Sequence, residues 1–394
     1  MATRTVAVFT GNRAEYGLQY PILRAVAADP RLDYRLLVGG SHLDEDYGAT
    51  LGEIERDGLK VHARVHITME RDTLLATAQA IGSGILSVSQ ALEELGPDWL
   101  LVYGDRYESL AALLAGTQMS IPTAHVEGGD YTEGGALDDS VRHAMTKLAH
   151  LHFPTNEEAA QRVLRLGEEP WRVHVVGLPS LDLVAAGQFA GPEELAEGLD
   201  LDPRRPVVLF CQHPVATEAD EAAAQVRPSL EALRRLSGDG SAQVVVTYPN
   251  NDAGGRRIIE EIEALRGLPD IRVVKSLGRW RFLGMLDLIG RRSGGAFLGN
   301  SSAGIKETAI FACPVVNIGP RQQGRLRGDN VLDVPYEAGA IEAAARRCLS
   351  DTGFLEQCRN GRNPYGAGDA GTRIAGVLAT AALDGRLIQK RMTY

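Results

Sequence analysis

The stretch Ile121 to His152, IPTAHVEGGDYTEGGALDDSVRHAMTKLAHLH, carries five carboxylates in thirteen residues: Glu127, Asp130, Glu133, Asp138 and Asp139. It opens as a short apolar strand, turns on Gly128 and Gly129, and resumes as a helix over Ser140 to Ala149. Acids this dense at a strand end and a helix start suit general acid–base work, with pKa values tuned by burial and by one another. A helix N-terminus also stabilises negative charge, so Asp138 and Asp139 read equally well as helix caps. Glu127 leaves less room for that reading. It stands where a buried parallel strand runs out into a loop, the usual place for ligand chemistry in an open α/β sheet.

Similar groups recur at other strand ends. Asp105 follows a strand over Trp99 to Val102, inside Gly104-Asp105-Arg106-Tyr107-Glu108. It is either a ligand-facing carboxylate or the N-cap of a helix over Ser109 to Met119, and spacing alone slightly favours the cap. His213, in Gln212-His213-Pro214, ends the strand Val207 to Phe210 and offers an imidazole. His42, His62, His66, His150, His152 and His174 read as structural or surface residues.

The best anion site is Gly299-Asn300-Ser301-Ser302-Ala303-Gly304, small residues and hydroxyls before a helix, where backbone N–H groups would cradle phosphate oxygens. A capping-box start is the plainer alternative. Glu307, one turn into that helix, would repel phosphate and suits sugar hydroxyls such as those of a ribose. Arg321 and Arg325 add positive charge from the next loop, or form a solvated face. Arg13, in Gly11-Asn12-Arg13, could reach a phosphate or cap a surface loop.

These groups need a scaffold that gathers strand ends. A strand over Val6 to Thr10, a glycine turn and a helix over Tyr16 to Ala27 begin a doubly wound unit, although the turn is not GxGxxG. Strands at Tyr34 to Val38 and Val173 to Val176, and helices at Thr73 to Leu95 and Glu157 to Leu166, continue it. From Ala185 to Arg205 the composition shifts to Gly, Pro, Ala, Asp and Glu, which reads as a connection between domains. A second series follows: strands Val207 to Phe210, Gln243 to Thr247, Ile271 to Val274 and Val315 to Ile318, with a helix over Ala219 to Leu236. The turn Tyr248-Pro249-Asn250-Asn251-Asp252-Ala253-Gly254 lies between two of these strands. The pattern predicts an α/β protein with two Rossmann-like, doubly wound parallel-sheet domains facing a cleft. The first would span residues 1–184, joined by a returning terminal helix within 369–394, and the second residues 185–368.

Bulk properties narrow the function. The chain has 394 residues, 44% apolar and 23% charged, a globular composition long enough for two domains. A net charge of -10 argues against nucleic-acid binding. Cys211, Cys313, Cys348 and Cys358 form no CxxC pair, so neither a zinc site nor a disulfide framework is expected, and a reduced cytoplasmic home fits. No leader and no apolar run of about 20 residues is present, so no membrane partner is expected. Neither a metal nor a cofactor is expected.

Taken together, the motifs resemble the UDP-N-acetylglucosamine 2-epimerases, most closely the hydrolysing branch. The likeness runs through Thr10-Gly11-Asn12-Arg13-Ala14-Glu15-Tyr16, Gly39-Gly40-Ser41-His42-Leu43, Gly104-Asp105-Arg106, His125-Val126-Glu127-Gly128-Gly129 and Asp138-Asp139-Ser140-Val141-Arg142-His143-Ala144. It continues through Gln212-His213-Pro214-Val215, the Tyr248 to Gly254 turn, Gly299-Asn300-Ser301-Ser302 and Arg321-Gln322-Gln323-Gly324-Arg325.

The resemblance implies a GT-B architecture with UDP held mainly by the second half. Carried over by motif, Asp105, Glu127, Asp139 and His213 match the catalytic set, and Arg13, Ser301, Ser302 and Glu307 match UDP contacts. Asn250, Asp252 and Arg321 would line the same cleft. The implied chemistry is loss of the C2 proton with anti elimination of UDP to a 2-acetamidoglucal. Water addition then releases N-acetylmannosamine. The same resemblance leaves open a reversible UDP-sugar epimerase, a hydrolysing enzyme for a 2,4-diacetamido sugar, and a GT-B glycosyltransferase. It also implies a homodimer or homotetramer. Asp130 and the longer run Tyr131-Thr132-Glu133-Gly134-Gly135 depart from many hydrolysing relatives and bear on the sugar preference.

Overall fold

The computed structural model describes residues 3–44, 50–67, 73–131, 137–250, 252–366 and 368–394. Glu133 with its loop, and Asn251, lie outside the described residues. The chain divides into two compact units. One takes the residues up to Tyr131, then Leu137–Ala186 and Tyr365–Tyr394, and the other takes Gly187–Pro364.

The first unit is built on six parallel strands: β1 (Arg4–Thr10), β2 (Leu32–Val38), β3 (Val61–Arg64), β4 (Trp99–Tyr103), β5 (Thr123–Val126) and β6 (Leu151–Phe153). Their spatial order is β3-β2-β1-β4-β5-β6, so the winding direction reverses between β1 and β4. Among the described residues up to Ala186 they are accompanied by α1 (Arg13–Ala28), α2 (Leu51–Arg56), α3 (Leu74–Leu95), α4 (Tyr107–Gln118), α5 (Leu137–Leu148), α6 (Glu157–Arg165) and α7 (Ser180–Ala185). β4 is buried along its whole length, as a central parallel strand covered on both faces must be. α3 and α4 lie close because α3 offers Gly84 there. A Cβ at that position would stand 2.9 Å from the Ala111 methyl.

The second unit repeats the plan. Its strands are β7 (Val207–Cys211), β8 (Gln243–Thr247), β9 (Ile271–Val274), β10 (Gly295–Gly299), β11 (Val315–Ile318) and β12 (Val331–Val334). They lie in the order β12-β11-β10-β7-β8-β9, so the reversal falls between β7 and β10. The helices are α8 (Pro192–Leu199), α9 (Ala222–Gly238), α10 (Gly255–Glu263), α11 (Gly278–Arg291), α12 (Ser302–Lys306), α13 (Ala338–Ser350) and α14 (Thr352–Asn360). Val208, Phe210, Val244, Val246 and Leu298 of the central strands meet Val226, Leu230 and Leu233 of α9 in one apolar core.

The chain then returns to the first unit as α15 (Ala370–Thr380) and α16 (Gly385–Ile388). α15 packs on α1, and its last carbonyls are taken up by that unit's strands. Arg4 donates to the oxygens of Leu378 and Ala381 at 2.8 and 2.7 Å, and the Trp99 indole N–H donates to Leu378 O at 3.1 Å.

Two elements differ from the sequence expectation. Val173 to Val176 is not a strand. Val173 forms a single bridge to His152, and the N–H groups of His174 and Val176 donate to the oxygens of His152 and Pro154. β6 is only three residues long and is followed by Pro154, which has no N–H to extend the ladder. The composition shift after Ala185 contains α8, which Pro192 opens at its first position, where the missing N–H costs nothing. The short strands β3, β6 and β12 were not anticipated.

Among the described residues no helix is long and apolar enough to cross a membrane, and no group of three or more His, Cys, Asp or Glu is placed to hold a metal ion. All four cysteines are free and buried.

Candidate active site

In the first unit the turns after β1 and β4 flank the point where strand order reverses, and β5 ends beside them. Gly104 turns the chain out of β4 at φ +72°, a conformation that glycine adopts without a steric penalty. Its N–H donates to Val126 O at 3.0 Å, and its carbonyl accepts from His125 Nε2 at 2.7 Å. His125 Nδ1 then accepts from the Thr146 hydroxyl of α5 at 3.3 Å. Burial pushes this imidazole down to about 4, so it is a neutral strut joining β4, β5 and α5.

Glu127 follows β5 at φ +67°, left-handed backbone that disfavours a side chain with a Cβ. Its N–H donates to Phe153 O at 3.0 Å, and the residue is buried. Strain of this kind persists only where the surroundings over-determine it.

Asp105 and Asp139 are joined by Arg142, a residue of α5 with no exposed surface. One guanidinium nitrogen pairs with Asp105 Oδ2. The other donates to Asp139 Oδ1 at 2.6 Å and to Asp130 O at 3.0 Å. Asp105 is therefore not a cap. The N-cap of α4 is Arg106, which makes no side-chain cap bond. A charge-assisted bond to a buried guanidinium outbids a neutral backbone donor. Asp138 and Asp139 likewise stand inside the first turn of α5 rather than at its cap. Arg13 opens α1, half-buried, behind the cap Asn12.

In the second unit the turns after β7 and β10 flank the corresponding reversal. His213 and Asn300 bind each other reciprocally. The His213 N–H donates to Asn300 Oδ1 at 2.6 Å, and Asn300 Nδ2 donates to His213 O at 2.9 Å. His213 Nδ1 accepts the Asn250 N–H at 3.0 Å, so the neutral imidazole carries its proton on Nε2, 3.5 Å from Cys211 Sγ. Gly299 is required here, since at φ +134° a Cβ would lie 1.9 Å from Cys211 O.

Arg321 and Gln322 both donate to Asn300 O, at 3.2 and 2.9 Å, and Arg325 donates to Gln322 Oε1 at 2.9 Å. Ser301 is the N-cap of α12 and makes no side-chain cap bond, which disposes of the capping-box alternative. α12 has five residues, so Glu307 stands at its C-cap, not one turn inside a longer helix. Its neighbour Lys306 is buried, and burial together with Arg325 holds that ammonium well below its ordinary pKa. Asp252 is half-buried, and its carbonyl accepts the Gly255 N–H at the start of α10 at 2.8 Å.

The described residues thus form two groups. Asp105, Asp139 and Glu127 with Arg13 belong to one unit. His213, Asn250, Asp252, Ser301, Ser302, Glu307 and Arg321 belong to the other. Sequence reasoning quoted Arg142, His125, Asn300 and Gln322 within motifs but gave none of them a role of its own. The spacing Asp139-x-x-Arg142 did signal one ion pair. Nothing in the sequence signalled the long-range partner Asp105.

A family model described as UDP-N-acetylglucosamine 2-epimerase matches residues 24–379. A Legionella pneumophila protein named UDP-N,N'-diacetylbacillosamine 2-epimerase (hydrolyzing) is 33% identical over 391 residues, 99% of this chain and 100% of that protein. A Neisseria meningitidis UDP-N-acetylglucosamine 2-epimerase is 31% identical over 350 residues, 88% of each chain. Among solved structures, a UDP-GlcNAc 2-epimerase from Neisseria meningitidis bound to UDP-GlcNAc superposes with a TM-score of 0.77 at 19% identity, over 95% of this chain and 99% of that one. The fold is GT-B.

Proposed function

We propose, from the premise that the chain belongs to the UDP-N-acetylglucosamine 2-epimerase family, that it is a hydrolysing 2-epimerase acting on a UDP-linked 2-acetamido sugar. The observation that carries this reading is that family motif residues flank both strand-order reversals, acids in one unit and a small-residue turn with hydroxyls in the other. The Legionella relative, matched along its whole length, favours a 2,4-diacetamido-2,4,6-trideoxy sugar over N-acetylglucosamine as the carried group.

A sugar C2 proton is a poor acid, so a placed base must remove it while the diphosphate departs. Glu127, Asp105 and Asp139 supply the proton acceptor and donors. Their coupling makes acid and base a property of the set. Arg142 fixes two of the three carboxylates. Arg13, Arg321 and the backbone at Ser301 and Ser302 stabilise the charge on the leaving UDP, Glu307 accepts from its ribose, and Asn250 and Asp252 line the site. His213, which carries its proton on Nε2, completes the catalytic set. Anti elimination gives a 2-acetamidoglucal, and water adds to it to release the 2-epimeric sugar. The reaction needs neither metal nor cofactor. The enzyme works as a homodimer or homotetramer in the cytoplasm.

The test is incubation with UDP-N-acetylglucosamine and, separately, with UDP-2,4-diacetamido-2,4,6-trideoxyglucose in heavy water, followed by phosphorus and proton NMR. Free UDP released in step with a C2-deuterated sugar is expected from one of them. Interconverting UDP-sugars would instead mark a reversible epimerase. Dependence on an added acceptor, with no deuterium at C2, would mark a glycosyltransferase.

A further inference from the structure

Glu15 is a buried carboxyl to which the chemistry above gives no task. It lies one turn into α1, and its side chain collects four donors. Oε2 accepts from the Gly11 N–H at 3.0 Å and from Asn12 Nδ2 at 3.4 Å. Oε1 accepts from Gln19 Nε2 at 2.8 Å and from the Ser109 hydroxyl at 2.6 Å.

Ser109 belongs to α4, the helix that follows the Asp105 turn. Glu15 therefore spans the strand-order reversal. One end holds the turn that carries Arg13, and the other holds the helix behind Asp105. A second carboxylate, Glu108, is fully buried alongside. It pairs with Arg106 at 3.2 Å, and its Cβ would stand 2.7 Å from a Cβ at Gly11. The turn after β2 closes on the same place, since a Cβ at Gly40 would lie 2.4 Å from Gly11 O.

This is more than helix capping. Asn12 already caps α1, accepting the Glu15 N–H at 3.0 Å. A capping-box glutamate reaches back to the N-cap N–H. Glu15 passes over it to Gly11 and across to another helix.

We propose that Glu15 is a positioning residue for substrate: it bolts the Arg13 turn to α4, and its charge state sets how that turn receives an anionic ligand. This rests on the reading that the turn meets a UDP-sugar. The groups facing Glu15 are Ser109, Gln19, Asn12, the Gly11 N–H, Glu108 and Arg106. His42, under the same turns, is neutral because burial pushes it to about 3. Burial raises Glu15 to about 8, against the pull of Ser109 and Gly11 and with a further push from Glu108. Below that pH the Glu15 carboxyl is neutral beside the Glu108–Arg106 pair. Above it a carboxylate appears under the turn that carries Arg13, where it opposes a diphosphate.

The test measures kcat and KM by UDP release from about pH 6.5 to about pH 9.5 for wild type, Glu15→Gln, Glu15→Ala and Ser109→Ala. Wild-type KM should rise through pH ~8 while kcat moves less, and Glu15→Gln should lack that inflection. Glu15→Ala should raise KM about tenfold at pH 7, about the worth of one buried neutral hydrogen bond, again with a smaller effect on kcat. Ser109→Ala, which keeps the carboxyl and removes a donor, should move the inflection to higher pH.

An inflection retained in Glu15→Gln, or unmoved in Ser109→Ala, overturns the proposal even if Glu15→Ala fails to fold. If wild type turns over neither UDP-sugar, it is the functional reading that fails. Amide exchange at Gly11 to Arg13 then judges Glu15 alone. Exchange should speed up toward pH ~8 beyond its intrinsic rise in wild type, levelling off above it, and not in Glu15→Gln. Identical profiles would overturn the proposal.

Discussion

Arg142 forms an ion pair with Asp105 across 37 residues of sequence, and it does so from a position with no solvent exposure. The same guanidinium holds Asp139 and a backbone carbonyl, so the spacing of the two carboxylates is set by one side chain.

Arg142→Met should therefore cost activity and stability together. Removing a buried ion partner destabilises by about 3 kcal/mol, toward the low end of the usual range because both acids keep some water contact. Asp105→Asn is milder, since Arg142 retains Asp139. Urea unfolding and UDP-release assays on both variants check this. A methionine variant as stable as wild type would mean that the clamp does not order the acids.

At Glu127 the two quantities should move apart. Glu127→Gly removes the carboxylate and also relieves a left-handed backbone worth about 1–2 kcal/mol, partly offset by the greater chain entropy of glycine. The variant should unfold no earlier than wild type and yet be inactive. Glu127→Gln should likewise lose turnover while binding UDP nearly as well, by calorimetry. Lost UDP affinity would reassign the residue to binding.

Ser301→Ala with Ser302→Ala should weaken UDP binding with little effect on folding. The Ser301 side chain makes no cap bond, so the ordinary N-cap loss of about 1 kcal/mol does not apply. Unchanged UDP affinity would remove the hydroxyls from the phosphate site.

Glu15 should make stability fall as pH rises. Its folded pKa of about 8 lies above the unfolded value of 4.5. Its contribution is complete below the unfolded value and is lost as pH rises toward 8, at about 1.4 kcal/mol per pH unit. Glu15→Gln should flatten that slope, so the variant gains on wild type at pH ~7.5 and the gain shrinks toward pH ~5. Denaturation curves at three pH values measure it. Parallel slopes would show that the carboxyl is ionised throughout.

The doubly wound plan was legible because buried parallel strands read as apolar runs and their carboxyl ends carry glycine and polar motifs. β8, β9 and β11 begin and end at the residues expected. β3 and β12 escaped because they are only partly buried and lack the apolar run that marks β11, and β6 because it has three residues. Asp105 was drawn toward the cap reading because a cap partner is local in sequence, whereas Arg142 reaches it only once β4 and α5 have been assembled. Glu15 was visible in the chain, but four donors from three segments leave no mark on composition or spacing.

α15 belongs to the unit that opens the chain, where Arg4 and Trp99 take up its last carbonyls. On the ribosome, the strands made first must therefore wait while Gly187–Pro364 are synthesised, leaving the α1 face without its covering helix. The unit translated second can finish its core first. A chaperone or protease that inspects the nascent chain will find its target in the older half.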